Sequence, residues 1–263
     1  MRKQAYSISA FYPVYNDEAT VELMAVRLRE VLSELTSEYE IIIVDDASPD
    51  KSGQIADQLA KKYKEIRVIH HEKNRGYGGA LKSGFNLAKK DLIFYTDGDA
   101  QYDVADLRAF MKYLPEYDVV TGTKIKRADK IYRIIVSKIY YKIIRFLFGL
   151  QVKDVSGDFR IFKRKVVESI DLRSNSGTIC LEMIKKIEKA GFKIKEVPVH
   201  HYPRRAGDSQ YFNVMDVGKT FGELFPLWVE LVLKPFFKHP KIPLMGYTST
   251  ILLCALVFLH AVV

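Results

Sequence analysis

The sequence predicts an α/β fold: a mostly parallel central sheet covered by helices on both faces, followed by amphipathic helices and a C-terminal apolar helix. Three observations carry this reading. Runs rich in Ile and Val alternate with helix-patterned stretches through the first half of the chain, as in parallel strands buried on both faces. Each of the first four apolar runs is followed by a polar, mostly acidic or glycine-rich cluster. From Pro243 to Val263 the chain reads PLMGYTSTILLCALVFLHAVV, without Asp, Glu, Lys or Arg, about the length one membrane-spanning helix needs.

The expected strands, in order, are Tyr6–Phe11, Glu40–Val44, Ile66–His70, Leu92–Thr96, Asp118–Gly122 and Ile194–His200. The first five are short and rich in apolar residues; the sixth comes late in the chain. Glu18–Leu35 reads as a helix, with Val21, Leu23, Met24, Val26, Leu28, Val31, Leu32 and Leu35 recurring at helical spacing. Cys180–Ala190 is a second helix ahead of the last strand. Asp129–Leu150 is helical, basic and apolar together, with Arg133, Lys138, Lys142 and Arg145 set among Ile, Tyr, Leu and Phe. Phe212–Phe237 is aromatic-rich, and Pro226 and Pro235 are expected to break it. Core helices or helices lying on a membrane surface both suit these two segments; beside an apolar tail the membrane reading is preferred. The expected organisation is a catalytic domain over 1–210, interface helices over 211–241 and a transmembrane helix over 242–263. The tail also suits a buried terminal helix.

Of 263 residues, 28% are charged and 48% hydrophobic, which excludes a disordered chain. The net charge of +9 suits either an anionic partner or a generally basic surface. The two cysteines, Cys180 and Cys254, make neither a disulfide framework nor a zinc site. The N-terminal stretch MRKQAYSISAFYPVYND lacks the apolar run of a secretory signal. Lys234, Lys238, His239 and Lys241 precede the tail, placing the larger part of the chain on the cytoplasmic side of a cell membrane. No nucleic-acid module is present, and the oligomeric state is left open.

Ligands of open parallel sheets bind beyond the carboxyl ends of the strands. There the chain carries YPVYND (Tyr12–Asp17), VDDASPD (Val44–Asp50), NRGYGGA (Asn74–Ala80) and TDGDAQ (Thr96–Gln101). The glycine pattern of a dinucleotide site after the first strand is missing, as is a Walker lysine. Gly76 and Gly78, at a helix start, would let backbone N–H groups approach a phosphate. Asp97-Gly98-Asp99 offers hard oxygen ligands for Mg²⁺ or Mn²⁺, ions often shared with substrate phosphates. It is equally good turn chemistry; the three companion clusters favour the metal. Gly98 would let the backbone turn both carboxylates toward one centre.

These four motifs, followed by EVPVHHYPRRAGDSQ (Glu196–Gln210), resemble family 2 glycosyltransferases of the GT-A fold. More narrowly, they resemble the polyprenyl-phosphate glycosyltransferases, over roughly residues 5 to 210. The resemblance implies that Pro13, Tyr15, Asp17 and Asp46, with Asp45 beside them, hold the base and ribose of a UDP- or GDP-sugar. It implies that Asp97, Asp99 and Gln101 bind the divalent ion. It implies that Arg204 or Arg205, with Ser209, closes over phosphate, and that Arg133 and Ser137 hold a lipid phosphate. Three positions depart from the family pattern: Asp17 replaces a Glu, Lys124 replaces an Arg, and Asp158 is an extra acid in DVSGDFRIF (Asp154–Phe162).

The implied activity is inverting transfer from the donor to a polyprenyl phosphate, undecaprenyl or dolichyl, with Asp99, Asp158, Arg204 and Arg205 nearest the chemistry. Lys124 would help position the acceptor phosphate. A hydroxyl acceptor, a glycolipid or a cell-surface polysaccharide, would need a base. Asp158 is the candidate, and a capping or ion-paired role suits it equally. A non-catalytic nucleotide-binding membrane scaffold is the third alternative.

Overall fold

A computed structural model describes residues 6–125, 131–204 and 222–234, with backbone alone over 131–138. Arg205, Ser209 and the apolar tail lie outside the described residues, and Arg133 and Ser137 fall where backbone alone is described.

Seven strands form one sheet: β1 (Ile8–Val14), β2 (Tyr39–Asp45), β3 (Ile66–His70), β4 (Leu92–Thr96), β5 (Val119–Lys124), β6 (Phe159–Lys163) and β7 (Ile194–Val199). Their order is β3-β2-β1-β4-β6-β5-β7. All neighbours are parallel except β6, which runs antiparallel to both β4 and β5. β1 extends further than its sequence suggests and takes in Pro13. Its pairing with β4 ends at Phe11↔Tyr95, so Pro13 falls beyond that ladder, where a missing N–H does no harm.

Strand side chains alternate between two cores. Ile8, Ala10 and Tyr12 of β1 and Ile41 and Ile43 of β2 face one side. That side packs against α1 (Val21–Leu35), α2 (Ser52–Lys62) and α4 (Leu107–Phe110). Phe11, Ile42, Val44, Ile93 and Tyr95 face the other, against α3 (Gly76–Leu87), α6 (Arg164–Glu168) and α7 (Ile179–Lys189). α1 buries Val21, Met24, Ala25, Leu28, Val31, Leu32 and Leu35, the one-face pattern its sequence carries.

A third cluster joins α5 (Ile131–Phe148), the outer side of α7 and α8 (residues 222–234). α8 has one aromatic turned inward and one outward, Phe225 being 48% exposed. Trp228, read as lying at a membrane surface, is 5% exposed, and its indole N–H donates to the Leu147 carbonyl at 2.9 Å. Pro226 does not break α8. Its missing N–H forfeits one helical bond, and the helix continues through it to residue 234. A π-helical turn follows at Val229–Leu233. α5 is two-sided over its described side chains: Ile144 and Phe148 are buried, while Ile139, Ile143 and Phe146 are exposed. Among the described residues, no helix is long and apolar enough to cross a membrane.

Candidate active site

Strands β1, β2 and β4 run parallel and end at one edge, from which the three acidic motifs emerge. Each motif contains one residue in the left-handed region: Asn16 (φ 61°), Ala47 (φ 59°) and Ala100 (φ 57°). Alanine there costs on the order of 1 kcal/mol. Each turn is tied back by its own acid. The Tyr15 N–H donates to Asp17 at 3.3 Å, the Ser48 N–H to Asp45 at 3.0 Å and the Gln101 N–H to Asp99 at 3.1 Å. Backbone strain collected at one sheet edge makes that edge the candidate functional site.

On the outer side lie the residues expected to hold a nucleoside. Tyr15 is 37% exposed. Asp17 is pushed up to about 6, chiefly by burial; the Tyr15 N–H and Arg204 oppose the rise, while Asp99 and Asp50 add to it. Asp45 and Asp46 are buried and already held. Asp45 pairs with His70 Nδ1 at 2.8 Å. Asp46 lies 2.6 Å from His71 Nδ1 and accepts from the Arg75 N–H at 2.8 Å. His71 in turn reaches the Ser83 hydroxyl at 2.8 Å. Sequence reasoning missed these two histidines. The available signal was their place at the end of β3, level with the acids of the neighbouring strand β2.

The glycines of NRGYGGA act differently from the phosphate-cradling role read from sequence. The Gly78 N–H donates to the Asn175 carbonyl at 2.8 Å, so it is directed at the chain itself. A Cβ on Gly78 would lie 2.5 Å from the Ser174 carbonyl oxygen, and one on Gly76 would lie 2.6 Å from that of Asn175. Gly76 also has φ +76°. Both glycines therefore seat the start of α3 against residues 174–175. Gly98 is likewise a close-approach glycine: its Cβ would meet the Pro13 carbonyl oxygen at 2.5 Å.

The centre of the edge is acidic. Asp97 is half-buried, and its Oδ1 accepts the Tyr77 hydroxyl at 2.8 Å. Burial pushes its carboxyl well above the ordinary range, nearby Asp158 and Asp99 push further, and Tyr77 and Lys124 pull it back. Asp99 pairs through Oδ2 with Arg204 Nη2 at 2.9 Å. Arg204, expected over phosphate, is thus seated on an acid of the centre. The Gln101 side-chain amide donates to the Tyr202 carbonyl at 3.0 Å, and the Tyr202 N–H returns a bond to the Gln101 carbonyl at 2.7 Å. Gln101 therefore ties down the segment after β7. Lys124 closes the far side, its Nζ 5.5 Å from the centre of the Tyr102 ring.

Beneath the centre, Asp158 Oδ1 lies 3.0 Å from Cys180 Sγ and 3.3 Å from the Tyr95 hydroxyl. The Asp158 N–H donates to the Tyr102 hydroxyl at 3.1 Å. Arg160, also missed by sequence reasoning, is 0% exposed. It donates to the Tyr95 hydroxyl at 2.7 Å and to Thr121 Oγ1 at 3.1 Å. Its guanidinium is enclosed in the floor and faces no surface ligand.

The acid centre fits a hard divalent cation in donor chemistry. Like charges crowd it, and a cation would relieve their repulsion. Among the described residues, no three His, Cys, Asp or Glu side chains converge as a ready-made metal site. Asp97 and Asp99 are the two that could share an ion with a ligand's oxygens.

Residues 9–171 match the model of glycosyl transferase family 2, and the chain belongs to that family. It is 32% identical to an undecaprenyl-phosphate 4-deoxy-4-formamido-L-arabinose transferase from Photorhabdus laumondii subsp. laumondii, over 80% of this chain and 64% of that protein. It is 28% identical to glycosyltransferase AglD from Haloferax volcanii, over 96% of this chain but 42% of that protein. The chain thus spans only part of the length of these relatives. In structure it is similar to glucosyl-3-phosphoglycerate synthase from Mycobacterium tuberculosis in complex with Mn²⁺, UDP-glucose and phosphoglyceric acid. The TM-score is 0.66 at 16% identity, covering 86% of this chain and 79% of that one. That likeness establishes the fold, a GT-A-like α/β architecture.

Proposed function

We propose that this chain is an inverting, metal-dependent glycosyltransferase that moves a sugar from a nucleotide-sugar to a polyprenyl phosphate at the cytoplasmic face of a membrane. The acid centre carries the reading: Asp97 and Asp99 follow the end of β4, with Asp158, Lys124 and Arg204 around them. The relatives support the acceptor, since one is an undecaprenyl-phosphate sugar transferase by name. The structural neighbours support the donor and ion, having been solved with UDP and Mn²⁺ or Mg²⁺.

Asp97 and Asp99 would hold the cation. When bound, it would stabilise the charge developing on the leaving diphosphate. Tyr15 and Asp17, the more open residues of the outer edge, would contact the nucleoside. Arg204 is one guanidinium away from the centre and would turn from Asp99 to the leaving phosphates. Lys124 supplies positive charge where an acceptor phosphate must approach. A phosphate monoester has a second pKa of about 6, so near neutrality the dianion attacks without a protein base. The exposed Ile139, Ile143 and Phe146 of α5, with Lys142 among them, support membrane docking, and the apolar Pro243–Val263 supports an anchor.

A hydroxyl acceptor is the second reading. Asp158 favours it, because this carboxylate lies near enough to Asp97 to raise it and is held by Tyr95 and Cys180. The test is incubation of the full chain with UDP- and GDP-sugars plus either undecaprenyl phosphate or a hydroxyl glycolipid. Product on undecaprenyl phosphate, dependent on Mg²⁺ or Mn²⁺, is expected; product on the hydroxyl acceptor alone overturns the proposal.

A further inference from the structure

In the glycine-rich segment NRGYGGA, Gly76 and Gly78 pack against residues 174–175, and the Gly78 N–H donates there. What that seating fixes in place is the intervening side chain. Tyr77 lies between Gly76 and Gly78 in the first turn of α3. Its hydroxyl, 2.8 Å from Asp97 Oδ1, joins a helix on one face of the sheet to the acid at the end of β4.

We propose that Tyr77 is a positioning residue for Asp97, orienting that carboxylate so that its second oxygen is presented to the divalent ion. The inference rests on the metal reading above and extends it to a residue of α3. A neutral hydroxyl suits the task. It fixes one oxygen by a directional bond without bringing a positive charge that would compete with the cation. The neighbouring acid shows the contrast, since Asp99 is held on Oδ2 by the Arg204 guanidinium. The surroundings also require an orienting group. Asp99 and Asp158 lie close enough to repel the Asp97 carboxylate, and the Tyr77 hydroxyl fixes one of its oxygens against that repulsion. Partners that orient a metal-binding carboxylate change metal affinity by about 10- to 100-fold when removed.

Tyr77→Phe removes the hydroxyl and keeps the ring packed against the core of that face. The measurement is Mn²⁺ affinity of the full chain by electron paramagnetic resonance, with UDP or GDP present, alongside nucleotide affinity without metal. Tyr77→Phe is expected to weaken Mn²⁺ binding about 10- to 100-fold, with metal-free nucleotide affinity and melting temperature close to the parent's. In an Asp97→Asn background the same change is expected to have no further effect on Mn²⁺ binding. Mn²⁺ affinity unchanged in Tyr77→Phe, or an equal loss in the Asp97→Asn background, overturns the role of Tyr77. Absence of Mn²⁺ binding by the parent with either nucleotide overturns the metal reading itself, and the positioning role with it.

Discussion

Asp99 has two holds on it. Its Oδ1 turns its own loop through the Gln101 N–H, and its Oδ2 carries Arg204. Asp99→Asn keeps the shape and an acceptor for the loop but removes the charge that both the arginine and a cation need. Transfer should fall at least about 100-fold, with the fold preserved by circular dichroism. Unchanged transfer at saturating Mn²⁺ would remove the metal assignment. His70 makes a pH-dependent prediction. Its two ring nitrogens lie 2.8 Å from Asp45 and 3.0 Å from Asp57. A neutral imidazole has one N–H, so only the cation donates to both. Its pKa is held above the ordinary value, chiefly by Asp45, with burial opposing and Asp57 adding. The folded-state value being the higher one, this clamp stabilises fully below the unfolded value of about 6.5 and is lost as pH rises through the folded value. The difference in melting temperature between parent and His70→Gln should therefore shrink as pH rises above about 6.5. A constant difference would show that the His70 clamp contributes no pH-dependent stability over that range.

At the scale of elements, α3 shows how a motif can be legible while its purpose is not. The glycines of NRGYGGA announced a close approach, and there is one, but to Ser174 and Asn175. Sequence alone cannot say which partner lies against a glycine, because the partner is nearly a hundred residues away. Gly78→Ala puts a Cβ within 2.7 Å of the Asn175 carbonyl carbon as well as 2.5 Å from the Ser174 oxygen, both backbone atoms. Neither can move like a flexible side-chain tip, so the start of α3 must shift. A loss of about 1–3 kcal/mol is expected in urea unfolding, and Mn²⁺ affinity should fall with it as Tyr77 moves. Strands β2 and β4 were legible because their apolar residues run uninterrupted to an acid or a threonine, and β3 because Ile66, Val68 and Ile69 lead into His70. β6 was not. It carries Arg160 between Phe159 and Ile161, and arginine is a residue expected at the surface. Arg160 nonetheless sits in the floor, satisfied by Tyr95 and Thr121, groups that only the folded sheet brings to it. Trp228 misled in the opposite direction. An aromatic, proline-containing segment suits a membrane surface or a core, and its contact with Leu147 depends on how α5 and α8 pack.

For the whole molecule, the proposed function requires the donor edge and a membrane-docking surface to work together, because a polyprenyl phosphate would keep its chain in the bilayer and present only its phosphate. α5 is the element with a side for each role. Ile144 and Phe148 face α7 and α8, while Ile139, Ile143 and Phe146 are 56%, 39% and 60% exposed. Spacings of four and three residues put the exposed three on one stripe, with Lys142 beside them. A basic residue near an anionic surface adds about 1 kcal/mol of attraction, and the apolar stripe adds burial in the acyl boundary. Replacing Ile143 and Phe146 together by Asp removes the apolar contact and reverses the charge without touching the packed side of the helix. Fold stability should change by no more than about 0.5 kcal/mol per site, as at other exposed positions. Transfer to undecaprenyl phosphate in anionic vesicles should fall steeply, while transfer to a short, water-soluble polyprenyl phosphate should be kept. The paired acceptors separate two roles for this face. Equal loss on both would place α5 in catalysis rather than docking, and equal retention would show that the stripe does not meet the membrane.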